Sequence, residues 1–382
     1  MIPLPRTILL LVSLSLGAAA QDALVSRLET SRFSPGHPIG LPASGRFVVA
    51  GYVEEGAVRV WSLPEGRELE QVDAHAPGMD GILALAVSPD ERLVASASLD
   101  GTVRIWERES LRLVRELEPL RGPVWAIAFD PDGRHVASGG GIHWVGKPEA
   151  ADFGVRIHEV ESGRLVRRIP VDDSIGDLHF SPDGRRLAGM VSSNTTGRLG
   201  TYVWDANTGA ELASIDDVRC LALGDDGLVS AGVGAIEVRD VAGIVRREIP
   251  RGRDERSAAS SDARVVALAG AGELRLFDTR TGELLRTVAD AAIQISNDIV
   301  LSPDGALVAL SDPRGLHVWD VAKGVEVTAD PCDASDVRRI AWSPSGDRLV
   351  LVGLRAFGIR VLLGAMGRHA HAALPPIPTQ PT

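Results

Sequence analysis

Trp125, His143, Trp144, Lys147, Arg219, Arg338, Asp172 and Asp173 are the residues of this chain whose types and placement suit recognition of another molecule. Two tryptophans offer large, stiff, amphipathic anchors of the kind that dominate protein interfaces. The arginines, the lysine and the adjacent aspartates supply charge around them. Further aspartates stand before predicted strands: Asp73, Asp80, Asp177, Asp216, Asp217, Asp330, Asp333 and Asp336. Such a rim would attract a basic partner or a divalent cation. No stretch, however, has the Asp spacing and central glycine of a calcium loop.

Catalytic chemistry is thinly represented. The sequence has no Gly-x-Ser-x-Gly elbow, no His-Glu-x-x-His pair, no Cys-x-x-Cys-His attachment and no phosphate-binding loop. His369 and His371 have the spacing of a metal pair but no third ligand in view. His158 ends a third strand and His179 lies on a first strand, and both read as core histidines. No catalytic group, metal site or cofactor is therefore expected.

The elements that must hold the recognition residues are set by a recurring turn. In residues 87–106, VSPDERLVASASLDGTVRIW, Ser88-Pro89-Asp90-Glu91 closes one strand, because Pro presets φ for a type I turn and Asp bonds back to the backbone. Leu93–Ser98 then alternates, Leu99-Asp100-Gly101 turns, and Thr102–Trp106 is a third strand rich in β-branched residues. The same turn recurs as Pro42–Gly45, Asp130–Gly133, Ser181–Gly184, Gly224–Gly227, Ser260–Ala263, Ser302–Gly305 and Ser343–Gly346. The last residues of the eight turns lie 46, 42, 51, 43, 36, 42 and 41 apart, a mean of 43. A period of roughly 40–45 residues with four short strands is that of a β-propeller blade.

On these residues the chain resembles the WD-repeat β-propeller family over about residues 33–365. The expected fold is all-β: a propeller of four-stranded antiparallel blades, most simply eight, with seven as the alternative. The resemblance implies a polar network of a buried Trp, a Ser or Thr, an Asp and a His. One repeat can supply all four, from Trp106, Ser96 or Ser98, Asp100 and His75. It also implies that the loops before each first strand, and those between second and third strands, share one upper face. The insertions Gly139–Phe153 and Ser192–Leu199 would then emerge side by side there. By the same register Trp125 marks the entrance of an inner strand, with Arg219 and Arg338 at the matching position of the fifth and eighth repeats.

Residues 1–20 combine Arg6, the apolar run Ile8–Leu16 and Ala18-Ala19-Ala20, which reads as a secretory signal cleaved before Gln21. Residues 21–33 are expected to supply a ring-closing strand from Leu24–Thr30, in preference to His369–Leu374. The propeller would occupy residues 34–374, and residues 375–382, PPIPTQPT, form an extended tail. The formal charge of −11 becomes −12 once Arg6 is removed with the leader, which disfavours nucleic acid and anionic lipid. Membrane insertion is not expected, and Cys220 and Cys332 fall too far apart in a ring to bond.

The function expected from these features is a non-enzymatic exported scaffold, monomeric in solution, that binds a protein or peptide through its upper face. The alternative is a propeller enzyme of the cell envelope, such as a quinoprotein-like oxidoreductase or a lyase with its site in the central funnel. Asp205-Ala206-Asn207-Thr208-Gly209 and Asp278-Thr279-Arg280-Thr281-Gly282 resemble quinoprotein turns, but Leu212-Ala213-Ser214 and Leu284-Leu285-Arg286 follow where those proteins place a Trp.

Overall fold

A computed structural model describes residues 25–29, 38–40, 42, 44–52, 55–62, 67–75, 81–141, 153–192, 199–232, 234–252, 255–260, 263–270, 272–289, 293, 298–312, 315–330, 337–342, 346, 348–353 and 358–363. The recurring turn does what its chemistry dictates. Ser88 Oγ donates to Asp90 Oδ1 at 2.6 Å and accepts from Leu93 N at 2.9 Å, so one hydroxyl closes the turn and starts the next strand. Ser302 repeats both bonds at 2.6 and 2.9 Å. The last turn position is left-handed, with φ of +72° at Gly133, +70° at Gly184 and +69° at Gly305, where a glycine costs least. Glu91 takes that position at +62° and is held by Ser44, whose hydroxyl donates to its carboxylate at 2.6 Å.

These turns fold the described residues into eight four-stranded antiparallel sheets, which makes the ring eight-bladed rather than seven-bladed. The inner strands of blades 1–8 are Ile39–Gly40, Ile82–Val87, Val124–Phe129, Ile175–Phe180, Arg219–Leu223, Arg256–Ala259, Asp298–Leu301 and Val337–Trp342. Each leads outward through successive hairpins, as in blade 2, where Leu93–Ser98, Val103–Glu107 and Leu113–Glu116 follow. Blade 8 differs. Its outer strand is Val25–Glu29, from the opposite end of the chain, paired antiparallel with Gly358–Leu363 from Val25 opposite Leu362 to Glu29 opposite Gly358. This pairing covers an edge that would otherwise present free N–H and C=O groups. His369–Leu374, the competing candidate, lies outside the described residues, as do residues 1–24, the tail from residue 375 and Cys332.

The core is divided among the gaps between blades. Phe47, Val49, Val58 and Val60 of blade 1 pack on Ile82, Val94 and Trp106 of blade 2. Val155, Ile157 and Ile169 of blade 3 meet Leu178, Leu187 and Trp204 of blade 4. Ala267, Leu274 and Leu276 of blade 6 meet Leu301, Val308 and Trp319 of blade 7. The third-strand tryptophans thus fill the gap toward the preceding blade. Cys220 is buried in the gap between blades 4 and 5, and desolvation pushes its thiol up to about 12, so it is unreactive at neutral pH.

Candidate recognition surface

Antiparallel hairpins send the loops that precede inner strands and those between second and third strands to one face. In blade 3 the second strand, His135–Gly140, and the third, Gly154–Glu159, flank the longer insertion; His143, Trp144 and Lys147 fall within it and outside the described residues. The root of that insertion is described. Gly141 N donates to Pro123 O at 3.1 Å. A Cβ on Gly141 would meet Ser174 Oγ at 2.4 Å, and one on Gly139 would meet Ile175 Cγ2 at 2.6 Å. These glycines let the second strand of blade 3 press against the loop leading into blade 4.

Trp125 sits at this junction, half-buried. Its neighbours pair with the second strand, Val124 with Gly140 and Ala126 with Gly139, while Trp125 itself is the bulged residue. A bulge turns its residue out of the ladder and re-aims it. Arg338 holds the same bulged position in blade 8, between Val337 and Arg339. Arg219 departs from the expected equivalence. It is exposed but pairs with Ala231, and the bulge of blade 5 falls at Leu221 instead. Counting back from the turn makes Arg219 and Trp125 equivalent, whereas hydrogen-bond register separates them.

The acidic rim is also corrected. Asp172, Asp216 and Asp217 are exposed, but Asp173 is 7% exposed and accepts from Ser174 N at 3.3 Å. Asp173 therefore shapes the leading loop and is not available to a partner. Asp177 lies on the inner strand of blade 4, below the rim.

The polar network of blade 2 uses Ser96, not Ser98. Ser96 Oγ accepts from Trp106 Nε1 at 2.9 Å and bonds His75 Nε2 at 2.8 Å; His75 Nδ1 lies 3.2 Å from Asp100 Oδ2. Thr102 Oγ1 donates to Asp100 Oδ1 at 2.6 Å. Burial opposes the Asp100 charge, but the His75 and Thr102 bonds outweigh it and hold this carboxyl well below its ordinary range. The four groups tie the loop before blade 2 to its second and third strands. Ser98 Oγ is engaged elsewhere, with Gly81 O at 3.3 Å.

Blade 3 has lost this network. His158 stands where blade 2 has Trp106, opposite Val136, and Ser138 stands where blade 2 has Ser96. Neither His158 ring nitrogen nor Ser138 Oγ finds a hydrogen-bond partner among the described residues. His158 is 1% exposed, and burial, reinforced by the Arg156 charge, pulls its pKa down from 6.5 to about 4. An unfolded chain accepts the proton that the folded one refuses, so stability falls as pH drops through this window, by about 3 kcal/mol in total. Urea unfolding at pH 7 and pH 4 should show that His158→Phe removes a loss of this size; an unchanged difference between the two pH values would remove His158 from the account.

His179 is not a core residue. Its side chain is 51% exposed, on the channel side of blade 4, and Nε2 lies 3.2 Å from Asp177 Oδ2. Inner-strand alternation looks the same in sequence whether a position faces a blade or the channel, which is why the sequence reading missed it. Asp130, Asp132 and His135 also converge, with one ligand atom from each within 4.8 Å of the others. Here Asp130 replaces the serine of the recurring turn; burial and then the neighbouring Asp132 raise its pKa. Asp130 Oδ2 is already bonded to His135 Nδ1 at 2.8 Å. The signal available in the sequence was Asp-x-Asp in place of Ser-x-Asp at one turn of the series.

Residues 66–107 and 112–141 match the family described as WD domain, G-beta repeat. The chain is 24% identical over 333 residues to Telomerase protein component 1 of Rattus norvegicus, covering 79% of this chain and 12% of that protein. It is 27% identical over 148 residues to THO complex subunit 3 of Arabidopsis thaliana, covering 39% of this chain and 42% of that protein. It therefore spans less than half the length of either relative. Among solved structures, the C-terminal WD40 domain of Sif2 aligns with a TM-score of 0.62 at 15% identity, over 88% of this chain and 96% of that one. The computationally designed Ika8 protein aligns with a TM-score of 0.67 at 21% identity, over 88% and 98%. These likenesses are of fold.

Proposed function

Because the chain carries WD repeats closed into a β-propeller, a scaffold typical of protein–protein interaction, we propose that it is an exported, non-enzymatic adaptor that binds a protein or peptide at the junction of blades 3 and 4. The observation that supports this most is the bulged, half-buried Trp125 beside Gly139–Gly141, where the insertion bearing Trp144 leaves blade 3 against the leading loop of blade 4. A stiff aromatic on a rigid inner strand loses little entropy on binding. Exposed Asp172, in the leading loop of blade 4, favours a partner with a basic group. Residues 1–20 would direct the chain out of the cytoplasm, and the net negative charge keeps it from nucleic acid.

The test uses the chain from Gln21 as bait in envelope extract, beside Trp125→Ala of verified fold. A partner held through an aromatic anchor should be captured at least about tenfold less by the variant, the loss expected for a hot-spot residue. Equal capture of every partner would place recognition elsewhere. N-terminal sequencing of protein recovered from the envelope of an expressing cell should begin at Gln21, and an intact Met1 would overturn export by this leader.

A further inference from the structure

At the opposite end of the channel from Trp125, the inner strands of blades 2, 3 and 4 run into their closing turns and line an open pocket of about 330 Å³. That volume lies at the lower end of the range for small-molecule sites. Its wall is largely apolar, formed by Val87, Ala128, Phe129, Leu178 and Phe180 with the prolines of three successive turns. Three of its lining residues are polar: Asp130, Ser181 and His179.

Two of those three are committed to the protein. Asp130 is 7% exposed and accepts from His135 N at 3.0 Å and from the His135 ring at 2.8 Å. Ser181 is fully buried and donates to Asp183 Oδ1 at 2.6 Å. His179 differs, because Asp177 takes only Nε2, at 3.2 Å, and Nδ1 has no hydrogen-bond partner among the described residues. The Asp177 carboxylate accepts from Nε2–H, which fixes the ring and favours the imidazolium, the form in which Nδ1 also carries a proton. Asp177 is itself anchored, accepting from Leu178 N at 2.9 Å.

From this arrangement we propose that the lower mouth of the channel binds a small monocarboxylate with an aromatic or apolar body, its ring or chain against Phe129 and Phe180 and its carboxylate on His179 Nδ1–H. The charged groups around His179 are Asp177 on its own strand, Arg219 on the inner strand of blade 5 and Asp130 in the turn of blade 3. Desolvation works against the imidazolium, and the Asp177 bond and charge outweigh it, so the ring holds its proton to higher pH than a free histidine. Arg219 favours the Asp177 charge and adds positive potential to the channel. While the ring is protonated, a carboxylate therefore meets an Nδ1–H donor, a positive charge and an apolar wall. A neutral amide would meet the same wall without the ion pair. The site is separate from the upper-face surface and does not depend on it.

The probe is 3-phenylpropionate, titrated calorimetrically into the chain from Gln21 at pH 6, beside its neutral amide. The acid is expected to bind one to one and at least tenfold more tightly than the amide. His179→Gln should weaken the acid at least tenfold and leave the amide unchanged, and raising the pH to 9 should reproduce that loss in the unsubstituted protein. The His179 ring resonances of the unsubstituted protein should shift with the acid, which keeps the test independent of how the variant folds. Absence of binding, equal affinity for acid and amide, or unmoved His179 resonances would each overturn the proposal.

Discussion

Deleting residues 21–33 from the chain that begins at Gln21 is expected to remove the single cooperative unfolding transition and to produce dimers or larger species. The reason is topological. Among the described strands, Val25–Glu29 alone has its partner, Gly358–Leu363, at the other end of the sequence, so it converts a row of blades into a closed ring. With five residue pairs in register and a net worth of about 1 kcal/mol per hydrogen bond, the strand contributes on the order of 5 kcal/mol. That is comparable with the whole stability of many domains. Its loss also exposes the edge of Gly358–Leu363 to other chains. Calorimetric melting and size-exclusion chromatography at several concentrations read both effects. A truncated protein that stays monomeric and melts in one transition at an unchanged temperature would show that the clasp does not hold the ring.

The second large effect is expected at Ser96. Ser96→Ala removes one hydroxyl and strands two partners, leaving Trp106 Nε1–H and His75 Nε2 without their bonds at 2.9 and 2.8 Å. Each buried group left unsatisfied costs about 1–3 kcal/mol, so a loss of about 2–4 kcal/mol is expected in urea unfolding. Ser98→Ala is the control. Ser98 is equally buried, but its hydroxyl donates to Gly81 O at 3.3 Å and accepts from Asp100 N at 3.1 Å, outside the Trp106 bond. It should cost about 1 kcal/mol, the ordinary worth of a hydrogen bond. If the two substitutions cost the same, the network would not be the unit that stabilises blade 2.

The repeat could be read from the sequence because local chemistry enforces it. A Ser-Pro-Asp-Gly turn closes on its own hydroxyl and carboxylate whatever surrounds it, and alternation over six residues specifies a strand with one face to each neighbouring blade. Eight such turns at near-constant spacing therefore carried the blade count, the positions of the inner strands and the membership of the Trp106 network. The choice of Ser96 over Ser98 needed the structure. The two residues share a parity on the strand, and only the reach of Trp106 and His75 distinguishes them.

The recognition residues were partly legible for the same reason. Trp125 could be placed at the head of an inner strand by counting from its turn. Counting failed at Arg219, because a bulge moved by two residues changes the register without changing the spacing. Asp173 was misjudged because a loop carboxylate can turn inward to its own backbone.

The sequence by itself determined the blade, since its turns and alternation are short-range and each repeat states them again. Tertiary structure alone decided what only a ring can decide. It determined that Val25–Glu29 meets Gly358–Leu363, that Gly141 must be small because Ser174 of the next blade lies against it, and that His179 faces the channel with one ring nitrogen held by Asp177. Those contacts join residues of different blades, and their geometry depends on how many blades close the circle, a property that no single repeat contains.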